Sequence, residues 1–249
     1  MDKYSHFCYD FSDTIRVRFP LLYMIELQNS LQQHVEERTK ELKEEKNNSE
    51  KLLLELTQAL ATTIDAKDKY TSGHSRRVAE YSKMLAAALG KDEREQQEVY
   101  LFALLHDIGK IGIPDWIINK QDKLTEEEYA EIKKHPQIGY EILKSITIMP
   151  KLKSGVRWHH ERIDGNGYPD GLSGEAIPEY AKIISVADAY DAMTSNRSYR
   201  DSLPQDVVRS EIEKHIGSQF DETIAKKMLE IIDEDKSFQL REKSQSIKK

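Results

Sequence analysis

Five histidines and two aspartates are the residues of this 249-residue chain best suited to chemistry: His74, His106-Asp107, His135, His159-His160 and Asp188. Any one of them alone is more often a satisfied polar residue or surface group than a ligand. The adjacent pair is more telling, because it follows Leu101-Phe102-Ala103-Leu104-Leu105. An imidazole and a carboxylate at the end of a buried apolar helix cost desolvation free energy unless something compensates them. A metal ion compensates both. Imidazole nitrogens and carboxylate oxygens, with no thiolate among them, suit iron, manganese or zinc. The set exceeds the four ligands of a structural zinc, whereas two adjacent ions sharing a carboxylate would use all of it. Such a pair, roughly 3.5–4 Å apart, lowers the pKa of a held water and clamps phosphoryl oxygens during in-line displacement. The chemistry expected is phosphodiester hydrolysis.

The elements that must bring these residues together read as helices. From Leu21 past Leu60 there is no Gly or Pro, and Leu21, Val35, Leu42 and Leu56 fall at heptad a positions. Met24, Leu31, Leu52 and Ala59 fall at d, while Gln28, Arg38, Glu45 and Ser49 weaken the middle of the seam. Residues 1–20 read as an irregular N-terminal segment, 21–60 as a helical linker and coiled coil, 57–235 as the domain proper, and 236–249 as a polar tail. Within the domain, apolar spacing predicts helices over 75–89, closed by Gly90, and over 95–105, 183–193, 203–215 and 222–232. Thr125-Glu126-Glu127-Glu128 is a capping-box start for a helix approaching His135. Residues 164–178 hold four glycines and two prolines and read as a loop. Asp188 and Asp191, three apart, share one helix face. No alternating strand pattern recurs, so the fold class expected is all-α.

Composition narrows the rest. A formal net charge of −7 argues against a DNA or RNA surface, since a polyanion would be repelled at long range. Cys8 is the one cysteine, which excludes an intrachain disulfide and a cysteine-zinc site. The apolar run Leu21 to Ile25 is too short to cross a bilayer and lacks the layout of a secretory signal. The reading is cytoplasmic, without a membrane partner.

Over about residues 57–221 the chain resembles the HD-GYP domain, a branch of the HD metal-dependent phosphohydrolases. The resemblance rests on Asp68-Lys69-Tyr70-Thr71-Ser72-Gly73-His74-Ser75, on Leu105-His106-Asp107-Ile108-Gly109-Lys110-Ile111-Gly112-Ile113-Pro114 and on His135-Pro136. It continues through the run from His159-His160-Glu161 to Gly165-Asn166-Gly167-Tyr168-Pro169-Asp170-Gly171-Leu172, then Val186-Ala187-Asp188-Ala189-Tyr190-Asp191-Ala192-Met193-Thr194-Ser195 and Arg197-Ser198-Tyr199-Arg200. It implies a helical HD-type domain behind a long coiled-coil-like helix, hydrolysing cyclic di-GMP to linear pGpG or GMP in bacterial signalling. It also implies two divalent cations, iron or manganese, on His74, His106, Asp107, His135, His159, His160 and Asp188, with Asp107 as the bridge. Lys110 matches the family's lysine near phosphate and attacking water, Tyr168 the name-bearing loop, and Arg197 and Arg200 the positions that contact substrate phosphate. Asp191 either orients a ligand histidine or Lys110 from behind, or hydrogen-bonds within the core. Some members carry a glutamate four residues before the first histidine for a third metal; Tyr70 stands there, so two ions are expected. Two rival readings remain: a silent sensor that binds the dinucleotide, and an HD phosphohydrolase acting on another nucleotide. The heptads over 21–60 read as a parallel homodimeric coiled coil or, alternatively, as a solvated helix connecting two parts of a longer protein. The linker also resembles the helix that follows receiver domains, which implies a receiver or sensory partner upstream.

Overall fold

The computed structural model describes residues 7–68, 73–195, 202–236 and 240, with side chains from Leu21 onward. In chain order the helices are α1 (Phe7–Asp65), α2 (His74–Ala88), α3 (Glu93–Leu104), α4 (Asp115–Ile118) and α5 (Glu126–Ile132). They continue with α6 (His135–Leu143), α7 (Leu152–Trp158), α8 (Glu179–Thr194), α9 (Gln205–Lys214) and α10 (Glu222–Glu234). Tighter 3-10 turns occupy Ile108–Gly112 and Gly174–Ala176. Among the described residues the only β pairing is an isolated bridge between Ile216 and Phe220. The all-α expectation holds.

The chain divides into two units, Met1–Leu53 and Leu54–Lys249. In the first, helix begins at Phe7, so residues 7–20 of the segment expected to be irregular are helical, and residues 1–6 lie outside the described residues. That expectation took Pro20 as a boundary, because proline lacks an N–H and disfavours a helix interior, yet the helix runs through it. Leu21, Met24, Leu31, Val35, Leu42 and Leu52, all seam positions, are exposed. The ion pairs Arg38–Glu41 and Lys46–Glu50 decorate the same helix.

In the second unit α8 is the central element, packed against α2, α3, α7, α9 and α10. Tyr180, Ala181, Ile183, Ile184, Val186, Ala187 and Tyr190 are all buried, so apolar residues wrap the helix instead of striping one face. α2 is one-sided and turns Val78, Tyr81 and Leu85 inward. Tyr81 meets Tyr190 edge-on with ring centroids 4.9 Å apart, and Phe102 of α3 meets Tyr180 at 5.3 Å. These contacts hold α2 and α3 onto α8.

Local signals fix the ends. Asp92 and Glu95 form a capping box that starts α3 two residues before the expected Glu95, and Thr125 and Glu128 form the box foreseen for α5. Gly90 takes φ +77 just past α2, the left-handed stop that glycine tolerates. α8 starts at Glu179, earlier than the apolar run suggests, because Pro178 sets the entry backbone. Apolar periodicity predicts neither α6 nor α7. Both are short, and at Gly139 of α6 a Cβ would come within 2.7 Å of Val156 Cγ1 of α7.

Candidate metal centre

Helix ends deliver most of the chemistry-bearing residues. His74 is the first residue of α2, and His135 the first of α6. His106 and Asp107 lie between α3 and the 3-10 turn Ile108–Gly112, while His159 closes α7 with His160 next to it. Asp188 alone comes from a helix interior, that of α8. Helix ends converge here because Gly109 lets the 3-10 turn abut α6: a Cβ there would sit 1.8 Å from the His135 carbonyl oxygen and 2.5 Å from the Gly139 nitrogen.

The donors form two groups that share one carboxylate. His74, His106 and Asp107 make the first, and Asp107, His135, His159 and His160 the second, each with its ligand atoms within 4.8 Å of one another. Asp107 Oδ2 lies 3.6 Å from His74 Nε2 and 3.3 Å from His106 Nε2, while Oδ1 lies 3.3 Å from His135 Nε2. Asp188 Oδ1 joins the first group 3.4 Å from His74 Nε2. All seven residues expected from the sequence thus come together.

Hydrogen bonding sets the tautomers. The Nδ1–H groups of His106, His135 and His159 donate to the carbonyls of Ala103, Ile132 and Val156 at 2.7, 2.8 and 2.7 Å. His74 Nδ1 donates to Asp191 Oδ2 at 2.7 Å. In each neutral ring the Nε2 lone pair therefore faces the cluster. His135 Nε2 and His159 Nε2 stand 3.3 Å apart as two acceptors, and His106 Nε2 is buried with no hydrogen-bond partner among the described residues. Buried acceptors left so cost about 1–3 kcal/mol each, and a divalent cation is the group that would satisfy them together. The residues present fit divalent metal.

Burial and the neighbouring histidines push His159 well below the ordinary histidine range, and burial takes His135 down to about 3 and His160 to about 4. These rings are neutral, the form that ligates. Burial opposes the charged form of His74 as well, but its bonds to Asp107 and Asp191 carry it up to about 10. Asp107 is held well below the usual carboxylate range; burial works against this, and His106 and Lys110 prevail.

Around the cluster, Lys110 Nζ lies 2.6 Å from Asp107 Oδ2 and 4.0 Å from Asp68. Tyr168 stacks on His160 with centroids 4.7 Å apart at 28°. Its loop is pinned by Glu161, whose Oε1 accepts from the backbone N–H groups of Asp170 and Gly171 at 2.7 and 3.1 Å. At Gly167 a Cβ would come within 2.5 Å of the Arg162 nitrogen and the Glu161 Cα, so only glycine allows this fold-back. Asp191 also accepts from Arg77 Nε at 2.6 Å. Arg77 is a residue that sequence reasoning passes over, because its partner is 114 positions away. Arg197, Arg200 and Tyr70 lie outside the described residues.

An all-helical domain that buries a histidine–aspartate cluster compatible with divalent cations is the class that fold and site define. The chain belongs to the HD domain family, whose model matches residues 58–224, and within it to the HD-GYP branch. It is similar to the cyclic di-GMP phosphodiesterase response regulator RpfG of Xanthomonas campestris pv. campestris (strain 8004), at 42% identity over 65% of this chain and 43% of that protein. It is also similar to the 3′3′-cGAMP-specific phosphodiesterase 2 of Vibrio cholerae, at 37% identity over 72% of this chain and 35% of that one. The chain therefore spans less than half the length of either relative. The crystal structure of a cyclic GMP-AMP-specific phosphodiesterase of V. cholerae, V-cGAP3, superposes with a TM-score of 0.58 at 20% identity, over 74% of this chain and 49% of that one. That likeness establishes the fold. No helix among the described residues is long and apolar enough to cross a membrane.

Proposed function

We propose that this chain hydrolyses the phosphodiester bonds of cyclic di-GMP, to the linear dinucleotide or onward to GMP. Two divalent cations, iron or manganese, would be held by His74, His106, Asp107 and Asp188 on one side and by Asp107, His135, His159 and His160 on the other. The observation that carries this reading is that Asp107 belongs to both donor groups, which is what a bridged pair needs. When bound, such a pair lowers the pKa of a water and neutralises phosphoryl oxygens.

The protein's own groups do the rest. The carbonyls of Ala103, Ile132 and Val156 fix the tautomers of three imidazoles, and Asp191 aims His74. Lys110 stands with its ammonium against Asp107, where it would meet substrate phosphate and orient the attacking water. Tyr168, stacked on His160, would shape the substrate side and exclude bulk water. Arg197 and Arg200 would take phosphate oxygens, for which a guanidinium fork is suited. Dimerisation through 21–60 and input from a receiver or sensory partner, in the cytoplasm, complete the proposal.

The test is turnover. Purified protein loaded anaerobically with iron or manganese should convert cyclic di-GMP to products resolved by chromatography, and Asp107→Ala should lose both metal and turnover. Binding of cyclic di-GMP without turnover in metal-replete protein would overturn hydrolysis in favour of a sensor. The V. cholerae relative named for 3′3′-cGAMP favours a second reading, in which the mixed dinucleotide is the better substrate. Side-by-side kcat/KM values decide between them.

A further inference from the structure

A cavity of about 410 Å³ opens beside the cluster, within the size range of small-molecule sites. His160 and Asp188 line one end; Glu211 and Gln219 line it as well, with the small residues Ala189 and Ala192 of α8 along the wall. Its chemistry differs from what a phosphate needs. Glu211 presents a carboxylate, which repels a phosphodiester, and its ion-pair contacts are long: 3.9 Å to Lys214 Nζ and 3.8 Å to His215 Nδ1. His215 Nδ1–H is instead committed to the Glu211 backbone carbonyl at 2.7 Å, which leaves the carboxylate oxygens as acceptors. Gln219 is oriented the other way. Its amide oxygen accepts from Arg162 Nη1 at 3.2 Å, so its NH2 is the group on offer. The turn that carries Gln219 is tied to the Tyr168 loop, since Asp164 N–H donates to the Ser218 carbonyl at 2.8 Å.

Resting on the proposed hydrolysis, we infer that this cavity is a guanine subsite, in which Glu211 and Gln219 read the base of a nucleotide whose ribose carries the scissile phosphate. Guanine presents two adjacent donors, N1–H and N2–H2, which a carboxylate accepts in parallel, and its O6 and N7 accept from an amide NH2. Adenine places an acceptor, N1, where the carboxylate needs a donor. One such subsite admits any cyclic dinucleotide with a guanine, so cyclic di-GMP and cyclic GMP-AMP are both accepted and cyclic di-AMP is rejected.

Metal-loaded full chain assayed on the three cyclic dinucleotides, with bis(p-nitrophenyl) phosphate as a base-free diester, tests this. Wild type should prefer the guanine-containing pair over cyclic di-AMP. Glu211→Gln should raise KM for cyclic di-GMP by about 10- to 100-fold, the loss expected for one bidentate base contact, and should narrow the preference over cyclic di-AMP. Metal content should be unchanged and kcat should move far less. A parallel fall in kcat and metal content would make Glu211 a structural residue, and an unchanged KM and preference would overturn the subsite. Wild-type turnover of bis(p-nitrophenyl) phosphate with none of the dinucleotides would overturn the subsite and leave the metal centre standing. Failure on every substrate would remove the hydrolytic reading itself.

Discussion

Asp191 shows how much of the site is decided one side chain at a time. It is not one of the seven clustered residues, yet it accepts from His74 Nδ1 at 2.7 Å and is itself gripped by Arg77 at 2.6 Å. Removing the charge should loosen the orientation of His74, so Asp191→Asn should weaken metal affinity by about 10–100-fold in competition against a chelator, with helix content unchanged. Equal affinity would leave Asp191 a core hydrogen-bonding residue and nothing more. Protonation gives a second prediction, for the chelated protein. His135 and His160 are pushed down to about 3 and about 4 from 6.5, so below pH 6.5 the unfolded chain binds more protons and stability falls with pH. His74, raised from 6.5 to about 10, adds stability that is complete below pH 6.5 and lost as pH rises through about 10. The Tm of chelated protein should therefore peak near pH 6.5 and decline on both sides. His135→Gln should flatten the acid limb, and a peak well into the alkaline range would be inconsistent with the proton on His74.

At the scale of elements, the cluster depends on how closely helix ends can approach. The 3-10 turn after Asp107 and the start of α6 are in backbone contact at Gly109, where a Cβ would sit 1.8 Å from the His135 carbonyl oxygen. Backbone cannot yield there as a flexible side chain would. Gly109→Ala should force the turn and α6 apart, costing at least about 1–3 kcal/mol as other overpacked sites do, seen as a lower midpoint in urea. It should also reduce metal content, because His135 moves with α6. A variant with wild-type stability and metal content would mean that the turn relaxes without disturbing the centre. The all-round burial of α8 explains why Asp188 can be held with little freedom: the helix that carries it has neighbours on nearly every face.

At the scale of the whole molecule, the apolar seam of α1 is the feature that bears on association. Leu21, Met24, Leu31, Val35, Leu42 and Leu52 are exposed at heptad positions, while Gln28, Arg38, Glu45 and Ser49 interrupt them. A seam of this kind should dimerise the chain weakly. Sedimentation equilibrium should give a concentration-dependent dimer for the full chain and a monomer for one beginning at Leu54. Identical monomer masses would end the idea of dimerisation through 21–60. Metal-dependent turnover by the shorter chain would further show that the second unit is catalytically sufficient.

Sequence alone picked out the seven residues that the structure brings together, because the His-Asp pair interrupts an apolar run that had to be buried and because all seven fall within motifs resembling those of the HD-GYP domain. It determined the helical class as well, through apolar spacing and the capping box at Thr125, since those signals act over a few residues. It misjudged the N-terminal segment, where Pro20 is a poor guide, and it passed over α6 and α7, whose short lengths leave too few turns for a period to show. What only the tertiary structure decided are contacts between distant positions. Arg77 meets Asp191, Gly109 meets His135, and Glu211 shares a cavity with Asp188. No local propensity encodes such pairs. They exist because packing the helices on α8 brings the helix ends together, and the positions of those ends follow from the whole core.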